Sequence, residues 1–97
     1  MKLSEKQKKY LRGLAHPRNP VVLIGQQGLT PGVVQELDGA LAAHELVKIR
    51  ARVERDERDA LLARLGAECR AELVQRIGHV AVFYRRHPEN PRIVLPD

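Results

Sequence analysis

Hydrophobic and polar positions alternate along this chain in two periods, one of the helix and one of the strand. Leu3, Tyr10, Leu11 and Leu14 form a sparse apolar face behind Ser4, which stands three residues before Gln7 as in a capping box; a helix is predicted from there to about Ala15. His16-Pro17-Arg18-Asn19-Pro20 then breaks the helix with two prolines. Val21 to Ile24 is an unbroken apolar run bounded by Pro20 and Gly25, the pattern of a strand buried on both faces. After the loop, Thr30 is a good N-cap and Pro31 suits the first helical position. Val33, Val34, Leu37 and Leu41, with Ala40 between them, extend that helix to about Ala43. Val47, Ile49, Ala51 and Val53 alternate with Lys48, Arg50 and Arg52, which predicts a half-buried strand. Asp56 is the candidate cap of a third helix with Leu61, Leu62 and Leu65 as its stripe and Glu57, Arg58, Asp59, Arg64 and Glu68 outside. Two further β-like runs, Leu73 to Ile77 and Val80 to Tyr84, break at Gly78-His79 and predict a hairpin. After Arg85-Arg86-His87 and a Pro88 to Pro91 loop, Ile93-Val94-Leu95 has room for a short final strand. The order α-β-α-β-α-β-β predicts an α/β sandwich with helices on at least one face of a small sheet.

Composition narrows the classes of function. Ninety-seven residues, 43% hydrophobic and 30% charged, suit one globular domain over residues 1–97 with a single modest core. The net charge of +5 favours a polyanionic partner. With only Tyr10, Phe83 and Tyr84 aromatic, platforms for base stacking are scarce. The lone Cys69 cannot make an intrachain disulfide, reads as a small core residue and fits a reducing cytoplasm. No signal peptide or apolar run of membrane-spanning length is apparent, so no membrane partner is expected. Catalysis finds no footing: the four histidines are scattered, Ser4 is the only serine, and no Walker phosphate loop is present. No metal, cofactor or small-molecule substrate is expected.

Three features bear on binding, each with a plain structural alternative. Gly25-Gln26-Gln27-Gly28 is a Gly-x-x-Gly loop between strand and helix, able to offer its amides and the Thr30 helix end to a phosphate, or else merely a tight connection. The first twenty residues carry Lys2, Lys6, Lys8, Lys9, Arg12 and Arg18 against Glu5, a net of +5, which is either a polyanion contact or a solvated face. Lys48, Arg50 and Arg52 line the wet side of their strand, as a binding stripe or as an edge strand's guard against aggregation. The helix after the loop has Glu36, Asp38 and Glu45 as its only charges, an acidic face that argues against its use as a DNA recognition helix.

The residues Leu3 to Pro17, L-S-x-K-Q-K-x-x-L-x-G-L-A-H-P, and Pro20 to Val33, P-V-V-L-I-G-Q-Q-G-L-T-x-G-V, closely resemble bacterial YhbY-type proteins of the CRM (chloroplast RNA splicing and ribosome maturation) domain family. The likeness continues through His44 to Arg50 and Gln75 to Arg85. It implies a compact single domain with a mixed sheet, similar to the C-terminal domain of translation initiation factor three. It further implies a Gly-x-x-Gly RNA contact comparable to that of KH domains, and association with precursors of the large ribosomal subunit. On that basis the expected partner is structured RNA, foremost precursor large-subunit ribosomal RNA in a pre-ribosomal particle. The expected contacts are Gly25, Gln26, Gln27, Gly28, Thr30, Lys6, Lys9, Arg12, Arg18, Lys48, Arg50, Arg52 and Arg85. The chain departs from the family at neutral Gln26 and Gln27, and at His79 where a basic residue is common. Those departures leave more of the phosphate attraction to Lys48, Arg50 and the first helix. A protein-interaction module docking ribosomal proteins, with RNA contact incidental, is the alternative.

Overall fold

The computed structural model describes residues 2–97. Its elements are α1 (Glu5–Ala15), β1 (Val22–Ile24), α2 (Pro31–His44), β2 (Leu46–Ala51), α3 (Arg55–Cys69), β3 (Glu72–Ile77) and β4 (Val80–Tyr84), in the predicted succession. The strands form one mixed sheet in the order β1-β2-β4-β3, with β1 parallel to β2 and the other pairs antiparallel. Because β2 is interior, its period of two decides the layers. Val47, Ile49 and Ala51 join Leu37, Leu41, Leu62, Leu65 and Phe83 beneath α2 and α3. On the opposite face Leu46, Val82 and Tyr84 pack with Leu11 and Ala15 of α1. Helices thus cover both sides of the sheet.

Local chemistry agrees with most predicted boundaries. Ser4 Oγ accepts the Gln7 N–H at 3.1 Å while Gln7 Oε1 accepts the Ser4 N–H at 3.0 Å, a complete capping box. Cys69 is buried in the core, as read from the sequence, and burial pushes its thiol pKa up, with Asp38 adding to the effect. Several expectations need correction. β1 is an edge strand buried on one side only, and Leu23 is 67% exposed because the face it shares with Arg50 extends beyond α1. The α3 N-cap is Glu54 in place of Asp56, and no side chain caps that end. Arg58, assigned to the outer face of α3, is buried. Residues 93–95 form no strand.

What holds those last residues is Glu45, placed on an acidic outer face by its charge but buried at the end of α2. Its Oε2 accepts the His87 N–H at 2.9 Å, and its Oε1 accepts those of Arg92 and Ile93 at 2.8 and 2.9 Å. So anchored, Ile93 and Leu95 pack against the α1 core, and Gln7 Nε2 donates to the Pro96 carbonyl at 3.1 Å. Burial by itself would raise the Glu45 pKa, but the three backbone N–H bonds and the nearby His87 outweigh it and hold the carboxyl below its ordinary value.

A depressed carboxyl stabilises the fold above its unfolded pKa and loses that contribution as pH falls through the folded one. Docking of residues 87–96 is therefore complete at neutral pH and fails below the ordinary carboxyl value of 4.5, measurable as a drop in amide protection at Arg92 and Ile93. Glu45→Gln turns one acceptor into a donor facing N–H groups and should cost about 1–3 kcal/mol in denaturant unfolding. A pair of glycines provides a second test. A Cβ on Gly66 would lie 3.1 Å from both the Ala71 carbonyl oxygen and the Phe83 ring, whereas one on Gly39 would meet nothing within 4 Å. Gly66→Ala should destabilise by roughly 1–3 kcal/mol through overpacking, and Gly39→Ala should stabilise α2 by about 0.5–1 kcal/mol.

Candidate nucleic-acid interface

The Gly25–Gly28 loop is a tight turn closed by the Gly28 N–H, which donates to the Gly25 carbonyl at 3.0 Å. Only Gly28 needs to be glycine for conformational reasons, with φ of +72°; at Gly25 a Cβ would meet nothing within 4 Å. Gln26 and Gln27 form the exposed tip, and their amides have no acceptor among the described residues. At the start of α2 the Thr30 hydroxyl accepts the Val33 N–H at 3.2 Å, as its cap reading predicts, and the Thr30 carbonyl accepts that of Val34. Pro31 has no N–H, so among the described residues Gly32 alone has an uncommitted donor in the first helical turn. The expected cradle of four loop amides plus a helix end is therefore narrower by one: the Gly28 amide is committed to the turn, and those of Gly25, Gln26, Gln27 and Gly32 have no acceptor among the described residues.

Backbone bonds draw this loop to two other turns. The Arg52 N–H donates to the Ile24 carbonyl at 2.8 Å, and the Ala51 N–H to the His79 carbonyl at 2.7 Å. His79 Nδ1 lies 3.1 Å from the Ala51 carbonyl, which can only accept, so Nδ1 is the donor there and Nε2 has no hydrogen-bond partner among the described residues. Between the loop, the β2–α3 connection and the β3–β4 hairpin opens a cleft of about 960 Å³ lined by Gln26, Arg50, Arg52, Arg55, Arg58 and His79, with Glu54 and Glu57 among its acidic groups. Of these, Gln26, Arg50 and Arg52 were expected from the sequence. Arg55 was not, Arg58 was assigned to the solvated face, and His79 stood out only as a departure from family pattern. The period of α3 gave no signal for Arg58, because an arginine beside Asp59 and Glu57 looks like any mixed-charge face.

The expected cations divide by their partners. Arg85 is committed inside the fold, donating to Asp38 Oδ1 at 2.6 Å, to the Asp38 carbonyl at 3.0 Å and to the Cys69 carbonyl at 2.9 Å. That arrangement removes it from the candidate surface. Lys6 and Lys9 are exposed on α1, while Arg12 is half-buried. Lys48 Nζ donates to the His16 carbonyl at 3.3 Å, and Arg18 to that of Leu46 at 2.9 Å, tying the end of α1 to β2 without a carboxylate. Among the described residues none of Lys6, Lys9, Arg12, Arg18, Lys48, Arg50 and Arg52 forms an ion pair. Lys48 and Arg50 stand two residues apart on the same side of β2, about 7 Å along the strand. Uncompensated positive charge therefore runs from the end of α1 across β2 into the cleft. The acidic face of α2 has meanwhile shrunk, since Asp38 and Glu45 are committed to Arg85 and the C-terminal residues, leaving Glu36.

Known proteins resemble this chain in sequence and in fold. The CRS1 / YhbY (CRM) domain model matches residues 3–85. A probable RNA-binding protein of Pseudomonas aeruginosa is 46% identical over 90 residues, covering 92% of this chain and 86% of that protein. An RNA-binding protein of Haemophilus influenzae is 45% identical over 95 residues, covering 97% and 95%. The probable RNA-binding protein YqeI of Bacillus subtilis is 36% identical over 96 residues, covering 97% and 99%. Among solved structures, a Staphylococcus aureus protein determined in solution superposes with a TM-score of 0.84 at 38% identity, over 98% of this chain and all of that one. With a family model that spans every element from α1 to β4, the chain belongs to the CRS1 / YhbY (CRM) domain family.

Proposed function

We propose that this chain is a non-enzymatic RNA-binding protein, a single domain that serves maturation of the large ribosomal subunit by holding structured precursor ribosomal RNA. The observation that carries the reading is the run of cations without carboxylate partners from α1 over Lys48 and Arg50 to the Gly-x-x-Gly loop, in a fold whose relatives bear RNA-binding names. Such a surface gathers phosphates with little regard to sequence, and its scarcity of exposed aromatics favours shape over a stacked linear motif. Gln26 and Gln27 contribute amides and side-chain hydrogen bonds in place of charge. Gly25, Gly28 and Thr30 set the turn that presents them. Among the described residues there is no group of three or more His, Cys, Asp or Glu placed to hold a metal ion. The alternative of a module docking ribosomal proteins through an acidic α2 is weakened by the internal commitments of Asp38 and Glu45.

If affinity comes from several phosphate contacts, log affinity for a structured ribosomal RNA fragment falls linearly with log salt, by several units of slope, and exceeds that for duplex DNA of equal length at matched ionic strength. A salt-insensitive affinity would return the surface to the protein-docking alternative. The loop has its own test in Gly25→Ala. That methyl group enters open space in the free protein, so stability should move by no more than about 0.5 kcal/mol, whereas affinity should fall if RNA backbone packs against Gly25. Gln26→Lys with Gln27→Lys should raise affinity and steepen the salt slope; a double lysine variant binding no better than the parent makes the loop purely structural.

A further inference from the structure

Arg58 is the only buried arginine among the described residues, and no carboxylate pairs with it. It is 7% exposed; Nη1 donates to the Gly78 carbonyl at 2.8 Å, Nη2 reaches the Val53 carbonyl at 3.5 Å, and Nε has no partner. Carbonyl dipoles satisfy part of a guanidinium's hydrogen bonding but leave its net charge in place, and a buried charge without a counter-ion is costly. Elsewhere the chain pairs cations far better exposed to water than this one: Lys8 with Glu5, Arg64 with Glu68, Arg76 with Asp59 and Arg85 with Asp38.

The same cleft concentrates the anomaly. Arg50, Arg52 and Arg55 line it with Arg58, and none of the four holds a carboxylate, although Glu54 and Glu57 belong to the same lining. Four permanent cations against two carboxylates leave an excess of positive charge at one concavity, with the free Nε2 of His79 as a further polar group there.

We propose that this cleft is a seat for one phosphate group, and that the group is an internal phosphodiester of bound RNA. The source of the phosphate rests on the RNA-binding reading above; the seat itself does not. Arg50, Arg52 and Arg55 are the residues that meet the anion. Arg58, whose atoms are covered, is a positioning residue: it ties the hairpin turn at Gly78 to the β2–α3 connection at Val53 and adds a field that only an incoming anion neutralises. The seat lies beside Gln26, so one stretch of RNA backbone can engage the Gly-x-x-Gly turn and the cleft together.

The test titrates the isotopically labelled chain with inorganic phosphate at constant ionic strength and follows its backbone amides by NMR. Saturable shifts are expected at Arg52 to Glu57 and at Gly78 to Val80, with the amides of Lys6 and Lys9 unmoved. Arg52→Gln with Arg55→Gln, both at exposed positions, should weaken phosphate binding at least ten-fold with circular dichroism unchanged. The same variant should flatten the salt slope of RNA binding by about 0.7–0.9 for each phosphate that it no longer neutralises. Arg58→Gln should weaken phosphate binding of the folded protein as well, a loss that a purely structural arginine would not produce; if that variant fails to fold, Arg58→Lys, which keeps the charge, should restore both folding and binding. Shifts spread over the α1 lysines, or a double glutamine variant that binds RNA like the parent, would overturn the seat while leaving RNA binding intact. Saturation at the cleft by phosphate without any RNA affinity would overturn the RNA source and the function proposed above. Oligonucleotides with a 5′-hydroxyl and a 5′-phosphate should bind alike, and a strict need for the 5′-phosphate would overturn the internal assignment.

Discussion

The structure depends on β2, an interior strand that is hydrophobic on one side and cationic over most of the other. An interior strand is normally apolar on whichever faces helices cover, since a charge trapped between sheet and helix is costly. Here Val47, Ile49 and Ala51 meet that demand beneath α2 and α3, and Leu46 meets it beneath α1. Lys48 and Arg50 lie farther along the α1 side, half-buried, with aliphatic stems on the sheet and charged ends able to reach water. They are tolerated because α1 packs across β2, β3 and β4 at the end marked by Leu46, Val82 and Tyr84 and leaves the Leu23, Arg50 and Val80 end open. The same short helix that closes one core therefore leaves the cationic face uncovered.

Charge follows the same division. Of the four ion pairs among the described residues, two fasten elements to each other, Arg85 at the end of β4 to α2 and Arg76 of β3 to α3, and two lie within α1 and α3. Exposed pairs of this kind contribute little individually, but Arg85 also satisfies the Cys69 carbonyl at the end of α3, so its guanidinium joins three elements at one point. The cations that run from α1 into the cleft bond to backbone carbonyls or to no protein group, and so keep their charge available to an external anion. Glu45 is the acidic counterpart, a carboxylate placed among N–H donors in place of cations, whose product is the covering of α1 by residues 93–96.

Hydrogen bonding also limits what the Gly-x-x-Gly loop can offer. A turn rigid enough to present its tip must commit an amide to closing itself, and a helix started by a threonine cap and a proline has few free donors left. The closed turn therefore holds Gln26 and Gln27 at an exposed tip, with one of its four amides spent on closure. Positive charge for that region comes from the neighbouring cleft.

The sequence alone determined the succession of elements, both helix caps made by Ser4 and Thr30, the hairpin at Gly78-His79, and the alternation of β2, because each is written in neighbouring residues through backbone preference or periodicity. It also carried the motifs by which the family is recognised. Tertiary structure alone decided which side of β1 was covered, since an apolar triplet reads the same at an edge as at a centre. It alone set the fates of Glu45, Arg58 and Arg85, because a charged side chain's burial depends on partners as far as 48 residues away. Local pattern places a charge on a helix face or strand end; only the packed fold determines whether a carbonyl, a carboxylate or open solvent stands opposite, and hence whether that charge holds the protein together or is left for a ligand.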